Sequence, residues 1–334
     1  MDWNTYTMRS AVTGTPKPIT AVIPSGMSAL TWAFASGECG SESWGGVTSA
    51  AIAGNIQAFL DAGKKYIVST GGLNGAFTCG SDASFDKFIS TYYSANLIGI
   101  DFDIEGGVDQ AQITELVKRI KVAQASYPSL RFSFTLATLG STGSGSQLSF
   151  LGNWVLEAIQ TVGLNWNNVF INLMAMDYGS GSSACVVGSS GKCDMGASAI
   201  AAAESMHNFF KVPYSSIELT PMIGGNDVQS NVFTLDDVAT VSSYALSKGL
   251  GGMHIWSFDR DTDCAAGPAS PVCNSYGVAG SLGFSNAFIN ALASSVDKVS
   301  LSPKMLGDQC SDQGLDCPHG CCGYGWYWGC CNEP

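Results

Sequence analysis

Residues 99 to 105 read Gly-Ile-Asp-Phe-Asp-Ile-Glu, so Asp101, Asp103 and Glu105 recur at every second position with Ile100, Phe102 and Ile104 between and before them. Side chains alternate faces along an extended strand, which sends the three carboxylates one way, in steps of about 7 Å, and the apolar residues the other. Three acids on one inward face cannot all ionise comfortably, and their repulsion raises at least one pKa toward the range a general acid needs. A solvated acidic face on an edge strand is the plainer reading of such a run. Against it, the alternate positions are apolar and the lead-in Asn96-Leu97-Ile98-Gly99-Ile100 carries no charge, as in a strand buried on both faces. A Mg²⁺ or Ca²⁺ site usually draws its ligands from loops or several elements. No second acidic cluster is obvious, so neither a metal nor another cofactor is expected.

The elements that must position these acids are legible from composition and periodicity. The chain has 334 residues, of which 46% are hydrophobic and only 13% charged, with 40 glycines. That is ample for a core and suits a loop-rich secreted protein better than a disordered or coiled-coil one. A formal net charge of −12 excludes the basic footprint that nucleic acid or an anionic membrane surface requires, and favours a neutral or cationic ligand. No apolar stretch is long enough to cross a membrane. A monomer is expected.

Short apolar runs fall at Trp3 to Met8, Ala29 to Ala35, Tyr66 to Thr70, Leu97 to Glu105, Arg131 to Thr138, Asn168 to Met176, Ile217 to Ile223 and Gly252 to Ser257. Eight such runs separated by helical segments predict an α/β fold, a (β/α)8 TIM barrel, over residues 1 to 296. Asp109 with Gln112 forms a capping-box pattern ahead of the apolar stripe Ile113, Leu116, Val117, Ile120 and Ala123. Thr234 with Asp237 repeats the device and Gly249 supplies a stop. A further helix is expected over Gly196 to Phe210.

The 12 cysteines order as Cys39 and Cys79, Cys185 and Cys193, Cys264 and Cys273, then six between Cys310 and Cys331. An even count with local pairs argues for disulfides, hence an oxidising, extracellular compartment. Met1 leads into Asp2-Trp3-Asn4 without a charged segment and apolar run, so the chain is expected to be a mature form of a secreted protein. After a linker at 297 to 306, residues 307 to 334 form a segment too small to fold on a hydrophobic core. Cys310, Cys317, Cys321, Cys322, Cys330 and Cys331 are expected to staple it by three disulfides, with fifteen connectivities open. Zinc with His319 is disfavoured, because the spacing lacks paired Cys-x-x-Cys ligands. Tyr324, Trp326, Tyr327 and Trp328 crowd between cysteine pairs. So small a knot cannot bury them all, and flat exposed rings suit stacking on sugars, as in a small carbohydrate-binding module. The alternative is that these rings pack against the barrel and the tail is a cap.

The motifs resemble those of glycoside hydrolase family 18, the chitinases. Asp101-Phe102-Asp103-Ile104-Glu105 is similar to the family's Asp-x-Asp-x-Glu on the fourth barrel strand, and Ser69-Thr70-Gly71-Gly72 to its Ser-x-Gly-Gly on the third. Met174-Ala175-Met176-Asp177-Tyr178-Gly179 resembles the sixth-strand motif of a bacterial-type branch, and Trp256-Ser257 the eighth-strand tryptophan. The resemblance covers roughly residues 1 to 290 and implies a chitinase acting on chitin or chitooligosaccharides. In it Glu105 is the proton donor and Trp256 the apolar floor of the reacting subsite. Family 18 departs from the two-carboxylate scheme of most retaining glycosidases: the substrate's own N-acetyl oxygen attacks the anomeric carbon. Asp103 then orients the acetamido N–H and balances the developing charge, Asp101 shares a proton with Asp103, and Ser69 holds Asp101 by a hydrogen bond. The three acids titrate as one system, and an acid-shifted activity profile is expected.

Where many members place tyrosine just before the sixth-strand aspartate, this chain has Met176, and Tyr178 follows Asp177. Asp177 is implied as a contact to the acetamido region. Tyr178 is a candidate for its oxygen, or a structural loop residue. Asn226 and Asp227 stand where they could bind sugar hydroxyls or simply form a turn. His254 shares the face of Trp256 and reads best as a packed histidine. The family tends to hold a cis peptide at Trp256-Ser257, and Ala33-Phe34 is a second candidate. Residues 224 to 251 already contain a helix, leaving no room for the extra domain that walls a tunnel in some chitinases, so an open cleft and endo cleavage are expected. An endo-β-N-acetylglucosaminidase on N-glycan cores has similar acids on a similar barrel. A catalytically silent lectin typically lacks the acid that Glu105 supplies.

Overall fold

The computed structural model describes residues 5–143, 145–300, 321–324 and 327–330, with side chains to residue 293. Contacts divide the chain into residues 1–289 and 290–334. The first unit is organised on one parallel sheet of seven strands: β1 (Leu30–Ala35), β2 (Tyr66–Gly71), β3 (Leu97–Asp103), β4 (Arg131–Ala137), β5 (Val169–Ala175), β6 (Ile217–Pro221) and β7 (Gly252–Met253). Each strand pairs with its neighbours in sequence, so the order across the sheet is the chain order. β7 is short as a strand, yet its pairing continues, because His254 N donates to Leu219 O and Trp256 N to Pro221 O, both at 2.9 Å.

The expected first strand, Trp3 to Met8, is a correction over its described part, Trp3 and Asn4 lying outside the described residues. Thr5 and Tyr6 form a turn, and the first paired segment is Arg9–Ser10, antiparallel to Lys17–Pro18. An amide side chain rather than a ladder takes up the backbone here: Asn55 accepts from Met8 N at 2.8 Å and donates to Tyr6 O at 3.0 Å. Among the described residues no strand joins β1 to β7, and the sheet is a curled, incompletely closed version of the barrel. β-Propensity identified an extended segment but not its partner.

The helices follow their sequence signals. They are α1 (Ser49–Ala53), α2 (Ile56–Asp61), α3 (Asp82–Tyr92), α4 (Gln110–Ser126), α5 (Phe150–Val162), α6 (Met195–Phe210), α7 (Leu235–Lys248) and α8 (Gly283–Ser300). The Asp109–Gln112 capping box starts α4, with Gln112 N to Asp109 Oδ1 at 2.8 Å and Asp109 N to Gln112 Oε1 at 2.9 Å. Its whole predicted stripe, from Ile113 to Ala123, is buried. Thr234 and Asp237 cap α7, and Gly249 ends it in the left-handed conformation.

Three disulfides join Cys39–Cys79, Cys185–Cys193 and Cys264–Cys273, as the local pairs predicted. In the second unit Cys321–Tyr324 pairs antiparallel with Tyr327–Cys330, with Cys321 opposite Cys330 and Tyr324 opposite Tyr327. Cys310, Cys317, Cys331, Trp326, His319 and the 301–306 part of the linker lie outside the described residues, as do the side chains of Cys321, Cys322, Cys330, Tyr324, Tyr327 and Trp328.

Two buried charges organise the sheet's surroundings. At the strands' N-terminal ends, Arg131 donates to Glu218 Oε2 and lies over the Phe170 ring at 4.3 Å, while His254 Nε2 stands 3.2 Å from the same oxygen. Burial pushes the Glu218 carboxyl up, but His254 and then Arg131 more than offset it and hold it at about 2. Beyond the C-terminal ends, Arg260 is 2% exposed and donates to the carbonyls of Ile223 (3.0 Å), Gly225 (2.7 Å) and Ser270. Removing a donor that serves several buried carbonyls costs each its desolvation. Arg260→Met should therefore lower unfolding stability by roughly 3 kcal/mol or more. Urea denaturation measures this, and a loss below about 1 kcal/mol would mean that water satisfies those carbonyls.

Candidate active site

The three acids occupy the C-terminal end of β3, where barrel sheets place their chemistry. Register sets Asp101 between Ser69 of β2 and Ser133 of β4, and Asp103 between Gly71 and Thr135. Asp101 and Asp103 are each 7% exposed, whereas Glu105, two residues past the strand, is half-buried at its open end. The alternation expected from the sequence is thus realised as a column running from buried to accessible.

Asp101 accepts three hydroxyl hydrogen bonds: from Ser69 to Oδ2 at 2.7 Å, and from Ser133 (2.6 Å) and Thr135 (2.9 Å) to Oδ1. The Ser69 contact was expected; Ser133 and Thr135 were missed. Burial pushes the Asp101 carboxyl up, and it stays raised although the three hydroxyls and then the His254 charge pull the other way. Asp103 has no such support, and its Oδ1 is buried without a partner among the described residues. Desolvation, then the charges of Asp101 and Glu105, pushes Asp103 up to about 9. Burial also raises Glu105.

The Gly-Gly of the β2 motif has a steric purpose. Gly71 (φ +86°) passes so close to Asp103 that a Cβ would run into its carbonyl oxygen, and a Cβ on Gly72 (φ +80°) would come within 2.8 Å of the Phe34 ring. Gly72 N donates to Asp103 O at 3.0 Å, which fixes the backbone that carries the acid. Phe34 stacks on Trp256 with centroids 5.9 Å apart and planes at 24°. Trp256 remains 39% exposed, an apolar face available to a ligand. The peptides Ala33–Phe34 and Trp256–Ser257 are both cis, as the resemblance implied.

The β5 motif divides. Met176 and Asp177 are half-buried at the strand's end. Asp177 adopts φ +50°, its Oδ1 accepting from Val228 N at 2.8 Å while its own N–H donates to Asn226 Oδ1 at 3.1 Å. Burial raises its pKa, and the Asp227 charge adds to this. Tyr178, in contrast, is 4% exposed, with its hydroxyl buried and unpartnered among the described residues. Its ring lies against Gly140, where a Cβ would meet Cζ at 2.9 Å. Its burial favours the structural alternative for Tyr178.

Asn226 is 0% exposed, and its amide donates to Met222 O (2.9 Å) and Gly224 O (3.1 Å) while its oxygen accepts from Asp177 N. These contacts favour the turn reading, in which Asn226 positions Asp177. Asp227 is exposed. His254 is half-buried, with Nε2 3.2 Å from Glu218 Oε2.

No family model matches the chain. The "Probable bifunctional chitinase/lysozyme" of Escherichia coli (strain K12) is 32% identical over 241 residues, 65% of this chain and 26% of that protein. "Endochitinase 11" of Metarhizium anisopliae is 32% identical over 230 residues, 63% of this chain and 42% of that one. The chain therefore spans well under half the length of these relatives. The catalytic domain of a hyperthermophilic chitinase from Pyrococcus furiosus superposes with a TM-score of 0.64 at 25% identity, covering 80% of this chain and 87% of that domain.

The raised acid has a consequence for stability. Asp103 keeps in the folded state a proton that an unfolded aspartate, with a pKa near 3.9, releases. Its contribution is therefore fully present below about pH 4 and is lost as the pH rises toward about 9. Asp103→Asn cannot lose that proton, so its Tm should exceed the wild-type value at pH 8 and converge with it near pH 4. A gap independent of pH in thermal scans would contradict this. The relatives named above, two in sequence and one in fold, are described as chitinases, the first as a probable bifunctional chitinase/lysozyme.

Proposed function

We propose that the protein is a secreted, monomeric chitinase that hydrolyses β-1,4-linked N-acetylglucosamine polymers internally, with retention and with assistance from the substrate's acetamido group. The observation that carries this reading is the acid column, in which Asp101 is saturated with hydroxyl donors, Asp103 is raised to about 9 and Glu105 stands at the open end. A retaining double displacement needs a free ionised carboxylate as nucleophile, about 5 Å from the acid. Asp101 is buried behind three donors, and Asp103 is held toward its neutral form. Attack by the acetamido oxygen of the substrate fits these constraints: the shared proton passes from Asp103 to Asp101, and Asp103, now a carboxylate, accepts from the acetamido N–H and compensates the positive charge that develops.

Glu105, raised by burial, donates its proton to the glycosidic oxygen and later takes one from water. Trp256, backed by Phe34, supplies the floor on which the reacting sugar lies. Asp177, locked by Asn226 and Val228, is placed for the acetamido region. Endo action is supported by the short connection from β6 to β7, which the Gly224–Gly225 and Val232–Phe233 pair and α7 fill. Chito-oligosaccharide complexes of catalytic-site mutants of the Pyrococcus furiosus domain support the ligand class. The three disulfides support an oxidising compartment.

Glu105→Gln should lower chitohexaose turnover by about 10³-fold or more while leaving its binding within a few fold. Wild-type products should be mixed in length from the earliest times. A mutant near wild-type rate would remove Glu105 as donor, and dimer alone from insoluble chitin would remove endo action. We read the segment 307–334 as a chitin-binding module. Its deletion should weaken retention on insoluble chitin with soluble-oligosaccharide turnover intact, and unaltered retention would overturn that reading.

A further inference from the structure

The polar contacts of Asp101 do not end at its three hydroxyls. Thr135 Oγ1, which donates to Asp101 Oδ1, accepts from Asn172 Nδ2 of β5 at 2.9 Å. Asn172 Oδ1 in turn accepts from Thr220 Oγ1 of β6 at 2.7 Å. Every member is buried, with Asn172 6% and Thr220 8% exposed. The line crosses three strands, from β6 through β5 and β4 to the acid on β3, and no step of the proposed reaction uses Asn172 or Thr220.

We infer that Asn172 and Thr220 are positioning residues that fix the Thr135 hydroxyl as a donor to Asp101 and so deliver the proton shared by the two aspartates to Asp103. The direction follows from donor chemistry. An ionised carboxylate only accepts, so Thr135 must give it its one hydrogen and can then only accept from its other neighbour. The amide nitrogen of Asn172 meets that need, which turns the amide oxygen toward β6, where the Thr220 hydroxyl secures it. Were the amide reversed, its oxygen would compete for the Thr135 hydrogen and Asp101 would lose a donor.

With the line intact, Asp101 has three donors and Asp103 Oδ1 has none among the described residues, so a single shared proton resides on Asp103. The charged groups facing Asp101 are Asp103 on its own strand and His254 beyond β7, the latter paired with Glu218 of β6, which also meets Arg131 of β4. None of these changes in the variants below.

This inference rests on the proposed chitinase chemistry for its kinetic consequence but not for its structural one, and the test separates them. Protein labelled with ¹³C at aspartate carboxyls is titrated by NMR as wild type, Thr220→Val, Asn172→Leu and Thr135→Ser. In the wild type Asp103 should protonate first as the pH falls, with Asp101 keeping its carboxylate shift. In Thr220→Val, which preserves shape, and in Asn172→Leu, the Asp101 midpoint should rise by about one unit, a tenfold change in proton affinity. Thr135→Ser keeps the hydroxyl and should titrate as wild type.

On chitotetraose the same two variants should move the acid limb of kcat/KM up by about one pH unit and lower kcat about tenfold below it, with KM within twofold. Folded variants with the Asp101 titration and the acid limb both in place would overturn the inference. A uniform loss of activity without a shift would reduce the line to packing and overturn it equally. An inactive wild type would refute the proposed function, while the NMR titration would still decide where the proton lies.

Discussion

Two carboxylates side by side in a buried strand cannot both carry charge at modest cost, and the rest of the site is arranged around that constraint. Asp101 and Asp103 sit on one face of β3 with comparable burial but unlike surroundings. Hydroxyls from β2 and β4 converge on Asp101, whereas Asp103 has a buried oxygen without a partner among the described residues, and two acidic neighbours. The asymmetry favours the proton on Asp103 over Asp101, next to the half-buried Glu105. Near the strands' N-terminal ends, Arg131 and His254 converge on the buried Glu218 carboxyl.

The walls of the site are held by backbone capture rather than by bulk. Gly71 and Gly72 let β2 run against the Asp103 carbonyl and the Phe34 ring. Asn226 grips Asp177 from the loop after β6, and Asn231 grips Gly179 by a pair of hydrogen bonds at 3.2 and 2.9 Å. Arg260 draws three carbonyls of the neighbouring loops onto one guanidinium. These contacts connect the ends of β5 and β6 to the segment that presents Trp256.

Much of this was legible in the sequence because its signals are local. The period of two in Asp101, Asp103 and Glu105, the Asp109–Gln112 capping box and the nearest-neighbour cysteine pairs each rest on residues a few positions apart or on one pairing rule. Three things were not. The first strand failed because β-propensity says nothing of partners, and Asn55 supplied the hydrogen bonds instead. Tyr178 and Asn226 were ambiguous because exposure, which separates catalytic from structural roles, is a property of the packed loop. The hydroxyl line was missed although its signal was present. Ser133 and Thr135 in Arg-Phe-Ser-Phe-Thr-Leu-Ala, Asn172 in Val-Phe-Ile-Asn-Leu-Met-Ala, and Thr220 in Ile-Glu-Leu-Thr-Pro are polar residues interrupting strands that read as buried on both faces. Such residues face inward and must find partners.

The central claim is that no protein carboxylate attacks the sugar and that no base activates water on its far face. The anomer of the first product tests it most directly, by ¹H NMR of chitotetraose hydrolysis before mutarotation. The account predicts that the new reducing end appears as the β-anomer and relaxes to the equilibrium mixture. An initial α-anomer would mean inversion by a carboxylate-activated water and would contradict the assignment of Asp101 and Asp103.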